Sequence, residues 1–303
     1  MSTRHLLSIA DLSPEEIGFV VTRAMEMKRN GHGAPLAGKS VALLFEKPSL
    51  RTKVSFDVGI QQLGGHPIYM GRDEVGLGGR EPVADVARVL CRYVDAIVAR
   101  VFAHRTLAEM AKHSTAPVIN ALSDAEHPCQ TLADLLTIRE RKGNLAGLAI
   151  AFIGDGNNVS ASLALGAASV GASFVIASPE GYDLPAGVMA QARRIAAAHG
   201  GAVRQARRPQ EAAAGADVVY TDVWVSMGDE AEAEARRKAF KGYQVNLDLM
   251  RQAKPDAIFM HDLPAHQGEE ISAGMLEHPQ SVVFDQAENR LHAQKAALEL
   301  LVR

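Results

Sequence analysis

The feature that most constrains this chain is a regular alternation of strand-sized apolar runs with helix-sized segments, and it occurs twice. Ahead of the first series, Ser13-Pro14-Glu15-Glu16 has the pattern of a capped helix start, with apolar residues continuing to Met27. Residues 41–45 form a short apolar run. Residues 49–63 then place Val54, Val58 and Leu63 on one helical side before Gly64-Gly65 stops the helix. Residues 68–70, 96–99 and 117–120 read as strands, and 82–93 and 107–113 as helices. A longer helix is predicted over 127–142, ending at Gly143. Beyond it, strands are expected at 148–153, 174–177, 217–221, 256–260 and 282–284, with helical segments between them and a final helix over 288–302. Alternation of this kind builds parallel sheets with helices on both faces. The expected fold is α/β, two doubly wound parallel-sheet lobes joined by linking helices. Such a layout places ligands at strand C-termini, in the cleft between the lobes.

A length of 303 residues suits two domains of similar size. Lysine plus arginine number 32 and aspartate plus glutamate 35, a net charge of −3, which makes a general nucleic-acid binder a poor reading. Two cysteines, Cys91 and Cys129, fall in helical patterns and are no disulfide framework, so a reducing, cytoplasmic setting is expected. The first ten residues lack the apolar core of a secretory signal, and no run approaches the roughly 18 apolar residues that span a bilayer. No membrane association is expected.

Several segments carry candidate chemistry. Phe45-Glu46-Lys47-Pro48-Ser49-Leu50-Arg51-Thr52 leaves a strand, turns at Pro48 and opens a helix. Ser49 is placed as N-cap, while Leu50, Arg51 and Thr52 offer N–H groups at the positive end of the helix dipole. Arg51 adds a guanidinium fork suited to phosphate oxygens. An ordinary capped helix with a surface arginine would carry the same letters. His127-Pro128-Cys129-Gln130 opens the long helix; an imidazole and a carboxamide one turn apart suit polarisation of a carbonyl oxygen, although His127 as a simple cap is the plainer alternative. Arg100 ends a strand, where a doubly wound sheet presents functional side chains.

In the second series, Ile153-Gly154-Asp155-Gly156-Asn157-Asn158 invites a dinucleotide reading, but Val159 takes the third glycine position and no acid ends the next strand, Ile176-Ala177-Ser178. Asn157 and Asn158 read better as amide contacts to a small polar ligand. Asp222 leaves another strand, and with Ser226-Met227-Gly228 could grip an amino acid's ammonium and carboxylate. His261-Asp262-Leu263-Pro264-Ala265-His266 suggests a metal, but no further ligand cluster supports one, so none is expected. Ala287-Glu288-Asn289-Arg290 brings another arginine to the start of the final helix.

Taken in order, these segments resemble the aspartate/ornithine transcarbamylase family, with Ser226-Met227-Gly228 pointing to its ornithine-using branch. The resemblance runs over nearly the whole chain. It implies carbamoyl transfer from carbamoyl phosphate to the δ-amine of L-ornithine, giving L-citrulline and phosphate, a step of arginine metabolism. It also implies a homotrimer and no metal or organic cofactor. A carbamoyl-phosphate domain over 1–135, rejoined by a C-terminal helix at 287–303, would accompany an ornithine domain over 145–285. Ser49, Leu50, Arg51, Thr52, Gly76, Arg100, His127, Pro128, Cys129, Gln130, Asp262, Leu263 and Arg290 would contact carbamoyl phosphate. Asn158, Asp222, Ser226 and Met227 would hold ornithine. Arg51, Arg100, His127, Gln130 and Asp262 would carry the catalysis, with His127 and Gln130 polarising the carbonyl.

Two positions depart from the family pattern. Asp262 stands where relatives have cysteine and is expected to serve as polar partner to the attacking amine; a tolerated replacement acting through its backbone is the alternative. Gly76 stands where many relatives place a glutamine that reaches a neighbouring subunit; either its backbone or Arg80 would take over that contact, or the contact is missing. Rival readings are a transcarbamylase with another acceptor, such as a diamine or an acylated ornithine, a nicotinamide-dependent oxidoreductase, and a non-catalytic relative that kept the fold.

Overall fold

A computed structural model describes residues 3–302 except 78, 227 and 229, with residue 230 described by its backbone only. The chain divides into two compact units, Met1–Leu136 with Glu288–Arg303, and Thr137–Ala287. The first contains α1 (Pro14–Asn30), β1 (Ser40–Phe45), α2 (Leu50–Gln62), β2 (His66–Gly71), α3 (Arg72–Val75), α4 (Val83–Leu90), β3 (Ala96–Arg100), α5 (His104–His113) and β4 (Val118–Leu122). It closes with the opening turns of α6 (Pro128–Lys142). Its four strands are parallel in the order β2-β1-β3-β4. β1 and β3 are buried almost throughout, as expected of strands covered on both faces. The α1 start is a full capping box: Ser13 accepts from the Glu16 N–H while Glu16 accepts from the Ser13 N–H, with Pro14 at the first helical position.

The second unit contains β5 (Ala149–Ile153), α7 (Asn158–Ser169), β6 (Ser173–Ala177), α8 (Ala186–His199), β7 (Val203–Ala206), α9 (Pro209–Ala213), β8 (Val218–Thr221), α10 (Ala233–Ala239), α11 (Leu247–Met250) and β9 (Ile258–His261). The last helix, α12 (Val283–Leu301), begins here and continues into the first unit. The five parallel strands lie in the order β7-β6-β5-β8-β9. The chain order therefore reverses at β5, between β6 and β8, and ligands of open α/β sheets bind beyond the strand C-termini at such a reversal. The segments at that end are Gly154–Asn158 and Asp222. α7 is buried from Val159 to Ser169, in keeping with a run that mixes small alanine, serine and glycine side chains with Leu163 and Leu165 and carries no charge.

The structure corrects the expected elements at two places. The strand expected at 282–284 does not form. Val282 still donates to the Phe259 carbonyl, but from Val283 the chain is helical, so the final helix starts five residues earlier than its expected start at 288. β7 went unpredicted because it is a four-residue edge strand whose middle residues, Arg204 and Gln205, are polar. Among the described residues, no helix is long and apolar enough to cross a membrane.

Candidate active site

In the first unit, the candidate residues gather where β1, β3 and β4 end. Ser49 caps α2: its Oγ accepts from the Thr52 N–H at 3.3 Å and donates to Thr52 Oγ1 at 3.0 Å. Arg290, from α12, donates through Nη2 to the same Thr52 oxygen. With both lone pairs engaged, the Thr52 hydroxyl keeps its own proton to donate. Thr52 is fully buried and Arg290 only 4% exposed, so this is an interior arrangement. Leu50 points its side chain outward, 76% exposed, and can contribute only its backbone N–H, which with that of Arg51 belongs to the unpaired first turn of the helix. Arg51 is half-buried.

Arg100 ends β3, at the register shift between β3 and β4, and is buried. His127 is placed by a pinned loop: Asn120 Nδ2 donates to the Leu7 and Glu126 carbonyls and to Ser123 Oγ, while the Ser123 N–H donates to the Glu126 carbonyl. The His127 carbonyl then accepts from the Gln130 and Thr131 N–H groups, starting α6. Burial holds the His127 imidazole well below its ordinary pKa, and the Arg290 and Arg100 guanidiniums add to the shift. His127 is thus a neutral donor in a positive surrounding. Burial pushes the Cys129 thiol up to about 12 despite the pull of Arg290, which makes it an inert packing residue, not a nucleophile. Gln130 directs Nε2 to Asp134 Oδ1 at 2.9 Å, and its Oε1 is buried with no hydrogen bond. Two guanidiniums, a hydroxyl and a neutral imidazole suit a small dianion carrying a carbonyl group.

Gly76 ends α3 with φ of +58°, and its carbonyl accepts from the Arg80 N–H at 2.9 Å. A Cβ there would lie 2.9 Å from Arg80 Cβ, so a glutamine could not adopt this turn without displacing Arg80. Arg80 itself is exposed.

In the second unit, Asn157 caps α7 through Oδ1, which accepts from Val159 and Ser160 N–H, while Nδ2 donates to Asp222 Oδ2 at 2.7 Å. Its amide is therefore engaged in structure, and the expected ligand contact from Asn157 gives way to a scaffolding one. Asn158 opens α7, half-buried. Asp222 follows β8 and also accepts from the Val223 N–H. Ser226 lies four residues on and is half-buried; Met227 falls outside the described residues.

Asp262 follows β9. Ligand-capable atoms of Asp222, His261 and Asp262 all lie within 4.8 Å of one another. The fully buried His261 is nevertheless unsuited to a metal: Nδ1 accepts from the Leu263 N–H at 2.9 Å, and Nε2 lies 3.3 Å from Glu270 Oε1. With Nδ1 an acceptor, Nε2 carries the proton and neither nitrogen offers a lone pair. His261 instead orients the turn holding Asp262 and Leu263, whose φ is +60°. Gln286 accepts from the His261 N–H and donates to the Tyr220 hydroxyl, tying β8 to β9. Burial pushes the Glu270 carboxyl up, but hydrogen bonds from His261 and from the His266 N–H outweigh it and leave Glu270 below its ordinary pKa. Sequence reasoning missed Glu270 and Gln286; their signal, a buried polar partner, exists only in three dimensions.

The glycine motif is structural too. A Cβ on Gly156 would sit 2.3 Å from the Asp183 carbonyl carbon and oxygen. The close approach that a dinucleotide's pyrophosphate makes to such a glycine is here made by the chain's own backbone, which argues against nicotinamide binding.

Residues 4–140 match the carbamoyl-phosphate-binding domain of aspartate/ornithine carbamoyltransferase, and 146–301 match its aspartate/ornithine-binding domain. The ornithine carbamoyltransferase of Acidothermus cellulolyticus is 54% identical, over 99% of this chain and 96% of its own length. The structure of ornithine carbamoyltransferase from Pyrococcus furiosus superposes with a TM-score of 0.95 at 49% identity, covering 99% of this chain and 97% of its own. An acetylornithine transcarbamylase solved with acetylcitrulline is further off, 32% identical with a TM-score of 0.90 and 99% of each chain covered. Buried arginines around a neutral imidazole in one unit, paired carboxylates in the other, and likeness along the full length agree: the chain belongs to the aspartate/ornithine carbamoyltransferase family.

Proposed function

We propose that this chain transfers the carbamoyl group of carbamoyl phosphate to the δ-amine of L-ornithine, yielding L-citrulline and phosphate. The observation that carries this reading is the buried Thr52–Arg290 contact beside Arg100 and a neutral His127. Arg51, Arg100, Arg290, Ser49 and Thr52 bind the phosphate oxygens and stabilise phosphate as the leaving group. His127 donates to the carbamoyl oxygen as it gains charge; as a neutral donor it stays a hydrogen-bond partner throughout and need not be charged first. The δ-nitrogen attacks once its ammonium has lost a proton. The C–N bond forms, the intermediate collapses, and the C–O bond to phosphate breaks with its electron pair leaving on phosphate. Asp262 accepts the amine's proton, while Asp222, held by Asn157 and the Val223 N–H, and Asn158 with Ser226 hold the amino acid. Two carboxylates within 4.8 Å suit a cationic acceptor. Positioning and electrostatics supply the acceleration.

The reading extends to a homotrimer in a reducing, cytoplasmic setting. Leu50, Val54 and Val58 repeat at i, i+4 and i+8 along α2 with exposed side chains, and Ile68 is exposed on the edge strand β2, an apolar face suited to another copy of the chain. Cys91 and Cys129 are both free thiols.

Incubation with carbamoyl phosphate and a panel of amines tests the function: L-ornithine, N-acetylornithine, putrescine and L-aspartate, with carbamoylated product and phosphate both measured. Citrulline formed from ornithine, with the other amines slow, is the expected result. Preferred carbamoylation of another amine would replace ornithine as acceptor, and no phosphate release with any amine would overturn the transferase reading.

A further inference from the structure

We propose that Asp134 is a positioning residue that fixes the side-chain amide of Gln130 with its oxygen presented, so that the first unit selects an acyl phosphate bearing an NH2 group over one bearing a methyl group. The inference rests on the carbamoyl phosphate reading above and deepens it.

Gln130 and Asp134 are one turn apart on α6, and His127 immediately precedes that helix on the same side. Asp134 is completely buried, and Gln130 is 1% exposed. A carboxylate accepts hydrogen bonds and donates none, so the amide edge turned toward Asp134 must be the NH2, as the 2.9 Å contact to Nε2 shows. This removes the usual freedom of an amide to exchange its nitrogen and oxygen. The opposite edge of the amide is Oε1, buried with no hydrogen bond. A buried carbonyl in that state is costly until a donor reaches it. Beside the preceding His127 the chain supplies the guanidiniums of Arg100 and Arg290 for an anion, but an amide oxygen suits neither phosphate nor a developing oxyanion. It suits an N–H.

A carbamoyl group has one acceptor edge, its carbonyl, and one donor edge, its NH2. Successive turns at the start of α6 then read both: His127 donates to the carbonyl, and Gln130 Oε1 accepts from the NH2. Gln130 is thereby an acceptor for the nitrogen end of the transferred carbamoyl group, not a second donor to the oxyanion. Acetyl phosphate has the same phosphate, the same carbonyl and nearly the same shape, but a methyl group at the donor edge. A site built around a hydrogen bond rejects the analogue that lacks it far more strongly than it rejects one differing only in size.

The test measures binding of carbamoyl phosphate and acetyl phosphate to the wild-type protein and to Asp134→Asn. The wild type should bind carbamoyl phosphate about tenfold to a hundredfold tighter than acetyl phosphate. In D134N an amide faces an amide, Gln130 can turn either way, and carbamoyl phosphate should weaken about tenfold while acetyl phosphate changes less than twofold. A merely structural role would weaken both ligands together, since both use the same phosphate groups, and that outcome overturns the inference while leaving the transferase reading intact. Failure of the wild type to bind either ligand would overturn the reading and the inference with it. Should D134N not fold, Gln130→Met keeps the volume and removes the amide; retained preference for carbamoyl phosphate in that variant also overturns the inference.

Discussion

Thr52→Val tests the phosphate site most directly, because valine keeps the shape of a fully buried side chain and removes only its oxygen. In the native chain that oxygen accepts from Ser49 and from the Arg290 guanidinium, and its proton is left for a ligand. A hydrogen bond to a charged group contributes about 1.5–3 kcal/mol, and losing it leaves a buried guanidinium with one acceptor fewer. The unliganded variant should therefore be less stable by about 1.5–3 kcal/mol in urea melts. If the Thr52 hydroxyl also contacts phosphate in the transition state, kcat/KM for carbamoyl phosphate falls by about 10- to 150-fold, at about 1.4 kcal/mol per decade. The ornithine KM, set by residues of the other unit, should move less than threefold. Thr52→Ser supplies the control: it restores the hydroxyl and leaves a methyl-sized gap worth about 1 kcal/mol, so activity should recover while stability does not fully return. If T52V keeps kcat/KM for carbamoyl phosphate within twofold of the wild type, Thr52 is not a phosphate ligand and the argument from its two engaged lone pairs is wrong.

Three further outcomes are expected. Burial and two guanidiniums keep His127 neutral in the folded chain, while in the unfolded chain it titrates near its ordinary value. The unfolded state then takes up the extra proton, so stability falls as pH drops below about 6.5, by up to about 1.4 kcal/mol per pH unit for each such histidine. His5 and His292, also lowered chiefly by burial, act with the same sign. Urea melts from pH 7.5 to 5 check this, and greater stability at pH 5 would refute it. Gly156→Ala should destabilise by about 1–3 kcal/mol or more, because the new Cβ overlaps the Asp183 carbonyl; an unchanged melt would show that the 183–184 segment yields freely. Asp262→Asn should lower kcat by about 10²- to 10⁴-fold, the range for losing a general base, with carbamoyl phosphate binding little changed. An undiminished kcat would reduce Asp262 to a backbone contact.

What could be read from the sequence follows from how each residue's signal is generated. Parallel strands covered on both faces must be apolar nearly throughout, so β1, β3, β5 and β8 announce themselves, whereas the edge strand β7, with Arg204 and Gln205, does not. The run Val282-Val283-Phe284 misleads for the converse reason. It is apolar, and Val282 bonds Phe259 like a strand residue, yet from Val283 the chain turns helical, and while Val282 and Val283 are both buried, Phe284 is exposed on the first turn of α12. Among the candidate residues of the two units, Ser49, Arg100, His127, Asp222 and Asp262 stand out in the sequence because a doubly wound sheet delivers chemistry at strand ends, and each follows or ends a strand. Their supports are not. Asp134, Glu270 and Gln286 are ordinary polar letters on helices and loops, and only their buried partners distinguish them from surface residues. Asn157 and Asn158 show the limit at its sharpest: two adjacent asparagines are equivalent as letters, but one is engaged at both ends of its amide by the α7 cap and Asp222.

The same reasoning explains why the imidazole of His127 serves better neutral than charged. An imidazolium between two buried guanidiniums would add a third positive charge to an interior where unpaired charge is costly. It would also bind the phosphate dianion of the ground state as strongly as anything formed later, and uniform binding of that kind does not raise kcat. A neutral N–H has little attraction for a resting carbonyl and more for one taking on negative charge, so its effect is concentrated on the step that matters. In the proposed mechanism Arg100 and Arg290 therefore do two things: they bind the leaving phosphate, and by their charge they add to burial in keeping the neighbouring imidazole neutral, the form that favours the oxyanion. Replacing Arg290 by methionine should accordingly weaken carbamoyl phosphate binding and also let the His127 pKa rise toward its ordinary value. Imidazole NMR shifts across pH 4–7 would show that rise, and an unshifted His127 in the variant would mean that burial alone holds it down.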